Sequence, residues 1–381
     1  MKLAEIFKSA GLRSARQKYE YHAASKTYEG ENIYAVIHAP RGDATEAVVL
    51  VAAWTNMDGK LNQSGVALVL ALARYFKRWS LWSKDIIILI TGDSRAGPQA
   101  WVDAYHDEHV PLSVAPLPVK SGALQGVVIV DNALNHRFES LHIVYDGVNG
   151  QLPNLDLFNT AVSIASGQLG IGVSLQRMWK HNDSYKERLQ TMLRGMVSQG
   201  LGHSSGPHSS FIPYHVDAIT LQAVGEGEQD DMAMGRCVES IFRSLNNLLE
   251  HLHQSFFFYL LMQVDRFVSI GTYIPSAMLV AVNFTIMAIA LWTRSGRQRA
   301  PKVATSMPEK GEKANMDLIE KDGMIAITPK EDLRVLERQL FVPVALVVSL
   351  HFLGVVPLYI FNNASWKVSY DTLLSKPAVD D

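Results

Sequence analysis

The loop after the first core strand carries the earliest side chains that could support chemistry, Asn56, Asp58 and Asn62. It follows the apolar run Ala47–Trp54, whose lack of alternation predicts a strand buried on both faces. It precedes a nearly all-apolar helix predicted over Ser64–Phe76. Open α/β sheets usually hold their sites beyond the carboxyl ends of the strands. This strand–loop–helix unit is therefore the first place to look for a site.

Two carboxylates lie close to predicted strand ends, and a histidine-containing loop comes later in the chain. Asp93 follows the buried strand Asp85–Thr91, and Asp131 directly follows Gly126–Val130. A late loop, His203-Ser-Ser-Gly-Pro-His208, has a Ser–His spacing that is more typical of turn hydrogen bonding than of catalysis.

The elements that would position these residues alternate between strands and helices. We predict an α/β fold with a mainly parallel sheet and flanking helices. The other predicted elements are strands Ile33–Ala39, Ser140–Tyr145 at the sheet edge and Ala218–Val224, and helices Pro98–Glu108, Pro153–Gly167, Ser184–Gln199 behind an Asp183 cap, and Asp231–Leu261.

Composition and motifs exclude several classes of function. The formal charge of −2 argues against nucleic acid as a partner. No Gly-x-Ser-x-Gly nucleophile elbow and no phosphate-binding glycine-rich loop follows a predicted strand, because the one Gly-x-Ser-x-Gly match, Gly202–Gly206, comes after a predicted helix. Cys237 is the single cysteine and has no His nearby in its predicted helix, which argues against a thiol protease. It is either a buried small residue or the site of an intermolecular disulfide.

The order of elements resembles the zinc-dependent aminopeptidases, which hold two metal ions at the strand ends. That family places a His-x-Asp pair where this sequence has Trp54 and Asn56, and a bridging Asp where it has Leu61. The family's Glu pair is also missing. The resemblance leaves Asp93, Asp131 and His208 as at most three candidate ligands, since indole and leucine side chains cannot bind zinc. Either these three are leftover polar residues that hydrogen-bond to their neighbours, or they retain one ion.

Two charge-free segments predict membrane-spanning helices. Tyr273–Trp292 supplies 20 mainly apolar residues and Leu340–Phe361 supplies 22, close to the roughly 20 needed to cross a bilayer. Arg294, Arg297, Arg299 and Lys302 follow the first segment, which predicts a cytosolic loop between the two. The aromatic run Phe256–Tyr259 predicts either a helix end in the headgroup layer or one packed on the domain.

These patterns divide the chain into six parts. We predict a lumenal α/β domain over residues 1–250, an interfacial helix end over 251–272, a transmembrane helix over 273–293, a largely disordered cytosolic polar loop over 294–339, a transmembrane helix over 340–361 and a lumenal tail over 362–381. The sequons at Asn62, Asn182 and Asn363 all fall on the predicted lumenal side. The N-terminal MKLAEIFKSAGL has no signal-peptide core, so either a further span lies upstream, which we expect, or the predicted orientation is wrong.

Four sequence blocks carry a closer resemblance that covers nearly the whole chain. They are Tyr34–Glu46, Trp101–Asp107, Gly147–Asn159 and Leu249–Leu261. In sequence and in order they resemble the anchor-attachment subunits of glycosylphosphatidylinositol (GPI) transamidases. Members of that family have one span before the lumenal domain and several after the second span, so we expect this sequence to be part of a longer protein.

The resemblance implies a multi-pass subunit of an endoplasmic-reticulum membrane complex. Such a complex removes a C-terminal signal from a proprotein and joins the new carboxyl group to the ethanolamine of the GPI lipid. The implied partners are the other transamidase subunits, including the cysteine-protease subunit, together with the GPI lipid and the proprotein. The expected subunit is non-catalytic, with no catalytic residue, cofactor or metal. The alternatives are a membrane-anchored metallopeptidase-like enzyme with a single zinc ion, and a scaffold that binds no ligand.

Overall fold

An eight-stranded mixed sheet forms the centre of the protein in this computed structural model. The structure describes residues 2–23, 26–109, 112–133, 137–203, 205–248, 257–295, 316–321, 324–329 and 341–363. Within these residues the strand order is β1-β2-β4-β3-β5-β8-β6-β7. Four of the seven pairings are parallel, which confirms the predicted α/β class with a mainly parallel sheet.

The strands and helices have the following bounds. The strands of the sheet are β1 Ser14–Ala23, β2 Lys26–Ile37, β3 Glu46–Ala53, β4 Asp85–Thr91, β5 Ala123–Asp131, β6 Arg137–Val144, β7 Gly172–Ser174 and β8 Ala218–Asp230, and two short hairpins contain β9 Tyr259–Gln263, β10 Arg266–Ser269, β11 Met316–Lys321 and β12 Met324–Pro329. The helices are α1 Lys2–Ser9, α2 Gln63–Arg78, α3 Ala96–Tyr105, α4 Leu155–Val162, α5 Tyr185–Leu201, α6 Asp231–Asn247, α7 Ile270–Ser295 and α8 Phe341–Asn363.

Strand β3 lies between two hydrophobic cores, which explains why its sequence does not alternate. Leu50 faces a core built with α2 and α6, where it shares the cluster with Phe76. Val49 faces the opposite core, which contains Trp101 of α3. Because both faces of the strand are covered, every position favours an apolar residue. Because β3 pairs parallel with β4 and β5, the carboxyl ends of these three strands lie at the same edge of the sheet.

The chain divides into two compact units, Met1–Ser276 and Ala277–Asp381. The first contains the sheet. Helix α7 coincides with the first predicted span, and Ile270–Thr293 is apolar enough to cross a membrane, with a mean hydropathy of 2.0. In α8 the apolar stretch with described side chains is Phe341–Leu350, which is shorter than a span. The second span therefore stays a prediction.

Three local predictions about the first unit are wrong. β6 is not an edge strand, because β7 pairs with it at the sheet edge. With three residues, β7 is too short to produce a recognisable pattern. Helix α5 is capped by Ser184, whose side chain accepts a hydrogen bond from the Glu187 amide, and not by Asp183. It ends at Leu201 before Gly202, whose left-handed φ of 64° terminates the helix.

The predicted helix Asp231–Leu261 is also wrong. Helix α6 ends at Asn247, and Tyr259 begins strand β9, so the interfacial helix end predicted over 251–272 does not form in its described part. The Tyr259 hydroxyl is buried and donates to the Pro153 carbonyl at 3.0 Å. A short apolar run such as Tyr259–Leu261 fits a strand and a helix equally well, and burial against the core decided between them. Residues 249–256 lie outside the described residues.

The polar loop predicted over 294–339 contains regular structure in its described part. Strands β11 and β12 pair antiparallel, with Met316 opposite Pro329 and Lys321 opposite Met324. The prediction of a largely disordered segment is therefore wrong for these residues. The high charge of the loop as a whole hid the strand pattern of these two short segments. The remaining loop residues lie outside the described part.

Two glycine substitutions test the packing at the start of α2. A Cβ added at Gly65 would lie 2.2 Å from Asn62 Oδ1, whereas nothing lies within 4 Å of a Cβ at Gly200 in α5. We expect Gly65→Ala to lower the free energy of unfolding by about 2 kcal/mol because the Asn62 amide must move. Gly200→Ala should be neutral or stabilise by about 0.5–1 kcal/mol. Thermal unfolding of the purified chain in detergent measures the stability of both variants. Equal effects of the two substitutions would contradict the close packing of Gly65 against Asn62.

Candidate functional site

The side-chain amide of Asn62 holds together the strand ends where the candidate site was predicted. Its Nδ2 donates to the carbonyls of Ala53 at 3.1 Å and Val130 at 3.0 Å, at the ends of β3 and β5. Its Oδ1 accepts from the backbone amides of Gly65 at 3.1 Å and Asn132 at 2.9 Å. All the hydrogen-bonding capacity of this buried amide is used. Asn62 therefore fixes the loop and the first turn of α2.

A second amide, Asn56, ties the same loop to Asp131. Its Oδ1 accepts from the backbone amides of Asp58 at 3.0 Å and Lys60 at 2.7 Å, which forms a tight turn. Its Nδ2 donates to Asp131 Oδ1 at 3.1 Å. The other carboxylate oxygen of Asp131 accepts from Gln222 Nε2 at 3.1 Å. Asp131 is thus held between two neutral amide side chains.

Burial changes the titration of Asp131. Loss of solvation raises the pKa of its carboxyl group from the ordinary 3.8 to about 6, with the nearby Asp58 adding to the increase. The hydrogen bonds from Asn56 and Gln222 lower the pKa, but they only partly offset the effect of burial. The negative charge of Asp131 at neutral pH therefore lowers the stability of the folded domain.

His208 is completely buried below the strand ends. Its Nδ1 lies 2.8 Å from Thr220 Oγ1 and its Nε2 lies 3.0 Å from the Asp146 carbonyl oxygen. A carbonyl can only accept, so Nε2 carries the proton and Nδ1 accepts from the Thr220 hydroxyl. Burial lowers the pKa of His208 to about 4. The imidazole is therefore neutral at physiological pH, and both of its nitrogens are engaged.

Asp93 caps a helix. Its Oδ1 accepts from the backbone amides of Arg95 at 2.7 Å and Ala96 at 2.6 Å, at the start of α3. Its Oδ2 accepts from the Tyr19 hydroxyl at 2.5 Å. Burial and this hydrogen bond raise the pKa of Tyr19, so the phenol stays a donor. The Asp93 carboxylate holds α3 against β1, a role that needs no ligand.

The three candidate ligands therefore do not form one site. Each belongs to a separate group of hydrogen bonds, and in the described ranges no three His, Cys, Asp or Glu side chains lie close enough to hold a metal ion. The hypothesis of polar residues that hydrogen-bond to their neighbours describes Asp93, Asp131 and His208 directly. Leu61, which the sequence predicted to take the position of a bridging Asp, is 62% exposed and fills no part of the strand ends. The amides fill them instead.

Sequence reasoning missed Asp146. Its buried Oδ2 accepts from Gln176 Nε2 at 2.8 Å and Ser198 Oγ at 3.0 Å, and burial raises its pKa. Its Oδ1 is buried and has no hydrogen-bond partner among the residues that the structure describes. The sequence contained a signal for this residue. Asp146 comes two residues after the last residue of β6, and it immediately precedes the third resemblance block, which begins at Gly147.

The buried interpretation of Cys237 is confirmed. The thiol is free and fully buried in α6, and burial raises its pKa to about 12. A thiol in this setting stays protonated at neutral pH and is not a nucleophile. An intermolecular disulfide would require its exposure.

Comparison with known proteins identifies clear sequence relatives. A family model described as Gaa1-like, GPI transamidase component, matches residues 29–378. GPI transamidase component gaa1 of Schizosaccharomyces pombe is 39% identical over 297 residues, covering 76% of this chain and 51% of that protein. GPI transamidase component GAA1 of Saccharomyces cerevisiae is 40% identical over 280 residues, covering 71% of this chain and 44% of that protein. The chain spans about half the length of these relatives.

Solved structures with lower sequence identity are also similar. The Legionella pneumophila LapA aminopeptidase is 13% identical with a TM-score of 0.42, over 65% of this chain and 63% of that chain. The Porphyromonas gingivalis glutaminyl cyclase is 16% identical with a TM-score of 0.36, over 64% of this chain and 86% of that chain.

The raised pKa of Asp131 predicts a pH-dependent stability. The folded pKa of about 6 exceeds the ordinary 3.8, so the folded state binds the proton more tightly. The contribution of the Asp131 carboxyl group to the free energy of unfolding is fully present below about pH 4 and is lost as the pH rises through about 6. Asp131→Asn removes this loss. The introduced amide can replace only one of the two accepting oxygens, so the variant also loses a hydrogen bond from Asn56 or Gln222 at every pH. We therefore expect the fall in unfolding free energy between pH 4 and pH 7.5 to be smaller in the variant than in the wild type by on the order of 1–2 kcal/mol.

Denaturant unfolding at both pH values measures the difference. Asp265→Asn, at an exposed carboxylate in the β9–β10 turn, is the matched control and should leave the stability unchanged. A wild-type chain that holds about one equivalent of zinc, lost in Asp131→Asn, would contradict this assignment and favour the single-ion hypothesis.

Proposed function

The chain belongs to the Gaa1-like family of GPI transamidase components, and from this premise we propose that it is a non-catalytic membrane subunit of a GPI transamidase. The observation that supports this proposal most directly is the family match over residues 29–378. In this role the chain contributes to the attachment of GPI lipid anchors to proprotein C-termini in the endoplasmic reticulum. Its contribution is assembly of the complex and recognition of the lipid or the proprotein.

The chemistry of the strand ends supports a non-catalytic role. A hydrolytic metal site needs several ligands and a base beside a metal-bound water. Here neutral amides, Asn56 and Asn62, take the positions next to Asp131 and satisfy the groups around them. The buried thiol of Cys237, with its raised pKa, is unsuited to cleavage of the proprotein. The cysteine-protease step accordingly belongs to another subunit.

The membrane arrangement rests on α7. Its apolar stretch Ile270–Thr293 is long enough to cross the bilayer, and the basic residues that follow it favour a cytosolic location for the loop 294–339. The sheet domain would then be lumenal, with a second span over 340–361 and a lumenal tail over 362–381. The partners in this arrangement are the other transamidase subunits, the GPI lipid and the proprotein.

Co-purification tests the proposed assembly. An affinity-tagged chain solubilised in mild detergent should bring down the cysteine-protease subunit in roughly stoichiometric amount, as expected for a stable subunit interface. A tagged, unrelated membrane protein with one span is the control for detergent carry-over. Recovery of the chain as a lone species, soluble after alkaline carbonate extraction, would contradict both the assembly and the membrane location.

N-glycosylation tests the lumenal orientation. Asn182 is exposed, whereas Asn62 is buried and uses its whole amide in hydrogen bonds, so a glycan there is incompatible with the fold. We expect Asn182→Gln to abolish one glycosidase-sensitive mobility shift, because accessible sequons are glycosylated in the lumen. Ser64→Ala, which removes the Asn62 sequon and keeps Asn62, is the matched control and should leave the mobility unchanged. An unglycosylated wild-type chain would contradict the orientation.

A further inference from the structure

Helix α5 has apolar side chains on its exposed side. Six large apolar side chains of this helix are 37–76% exposed: Tyr185, Leu189, Leu193, Met196, Val197 and Leu201. Apart from the adjacent pair Met196 and Val197, successive members are three or four residues apart. Residues with this spacing lie on one side of an α-helix. We call these six residues the α5 apolar face.

The side of α5 that packs on the domain is small and polar. The buried residues of this helix are Thr191 and Gly195. The Thr191 hydroxyl donates to the Glu187 carbonyl, and a Cβ at Gly195 would lie 3.7 Å from the Tyr145 hydroxyl. A helix on the surface of a soluble domain normally buries its apolar side and exposes its polar side. Here the arrangement is reversed, and exposed apolar side chains grouped on one side of a helix indicate an interaction surface.

The beginning of α5 is tied to the place where the chain enters α7. Asp183 contacts Arg188 of α5 at 3.6 Å and Arg266 of β10 at 3.3 Å. Helix α5 also packs on β9. Strand β10 ends at Ser269, and α7 begins at the next residue, Ile270. If α7 crosses the bilayer, its entry point lies four residues along the chain from the Arg266 that pairs with Asp183.

The surroundings of α5 have the composition of a membrane interface. Phe257, Phe258 and Phe267 of the neighbouring β9–β10 segment are 41%, 64% and 43% exposed. Aromatic residues concentrate where a protein meets the headgroup layer. Residues 177–194 contain five Lys or Arg and two Asp or Glu, a basic excess that suits lipid phosphates. Lys186 and Arg194 are exposed on α5 itself.

We propose that the α5 apolar face rests on the phospholipid bilayer that α7 enters, with its side chains at the boundary between headgroups and acyl chains. The inference rests on the proposed function in one respect, that α7 spans a membrane. The occupant is lipid and not a protein, because the exposed phenylalanines, the basic excess and the link to the start of α7 are all found in α5, in the loop before it or in the β9–β10 segment beside it.

The experiment places a fluorophore on this face of the full chain. Cys237, the single native cysteine, is buried, so an introduced surface cysteine is labelled selectively. Leu193→Cys carries an environment-sensitive dye, and the chain is reconstituted in phosphatidylcholine vesicles that contain a nitroxide high on the acyl chain. We expect the lipid nitroxide to quench this dye at least about twofold more than aqueous iodide does, as for an interfacial helix. Lys77→Cys, at an exposed position of α2, is the matched control and should respond to iodide only.

Two other results would overturn the inference. Quenching of the Leu193 position by iodide alone places the face in water, and protection from both quenchers assigns it to a protein partner or a second copy. A dye at Met278→Cys, on an exposed position of α7, separates this failure from that of the proposed function. Nitroxide quenching at 278 without quenching at 193 removes only the α5 contact. No nitroxide quenching at 278 shows that α7 is not inserted and removes both.

Discussion

The four hydrogen bonds of the Asn62 amide are the constraint on which the centre of this protein depends. They join the ends of β3 and β5 to the first turn of α2. An amide is suited to this position because one side chain must satisfy two carbonyls and two backbone N–H groups at once. A carboxylate would face the two carbonyls without a donor, and a neutral imidazole offers only one donor and one acceptor. The residue that organises the strand ends is thereby one that performs no acid–base chemistry.

The remaining polar groups around Asn62 follow the same principle. Burial moves the pKa of Asp131 upward to about 6 and that of His208 downward to about 4, so in both cases it shifts the equilibrium toward the neutral form. At about pH 7 His208 is neutral, whereas Asp131 is still mostly ionised. Catalytic sites commonly use such shifts to place a proton donor or acceptor near the substrate. Here the shifted groups are enclosed by amide and hydroxyl partners, Asn56, Gln222 and Thr220. The shifts therefore reflect burial in a structural network.

The surface of the domain carries the features that point to partners. Helix α7 has the length and hydropathy of a membrane span, and the α5 apolar face lies on an element tied to its beginning through Asp183 and Arg266. The proposed role as a transamidase subunit requires the domain to work beside a lipid substrate. A domain seated on the bilayer would meet that requirement through surface packing, whereas the strand ends would serve only to hold the sheet together.

The sequence by itself determined the α/β class, the buried central strands, the apolar helix α7 and the family, because long apolar runs and extended sequence blocks are local properties of the chain. It also placed Asp131 correctly at the end of β5. The structure alone decided that Asp93 caps α3, that Tyr259 begins a strand and that β7 covers β6. The physical reason is that periodicity shows which residues share a face of an element, but not what that face meets. Asn62 bonds to Val130, 68 positions away, and α5 turns its apolar side outward, and both depend on packing between distant segments.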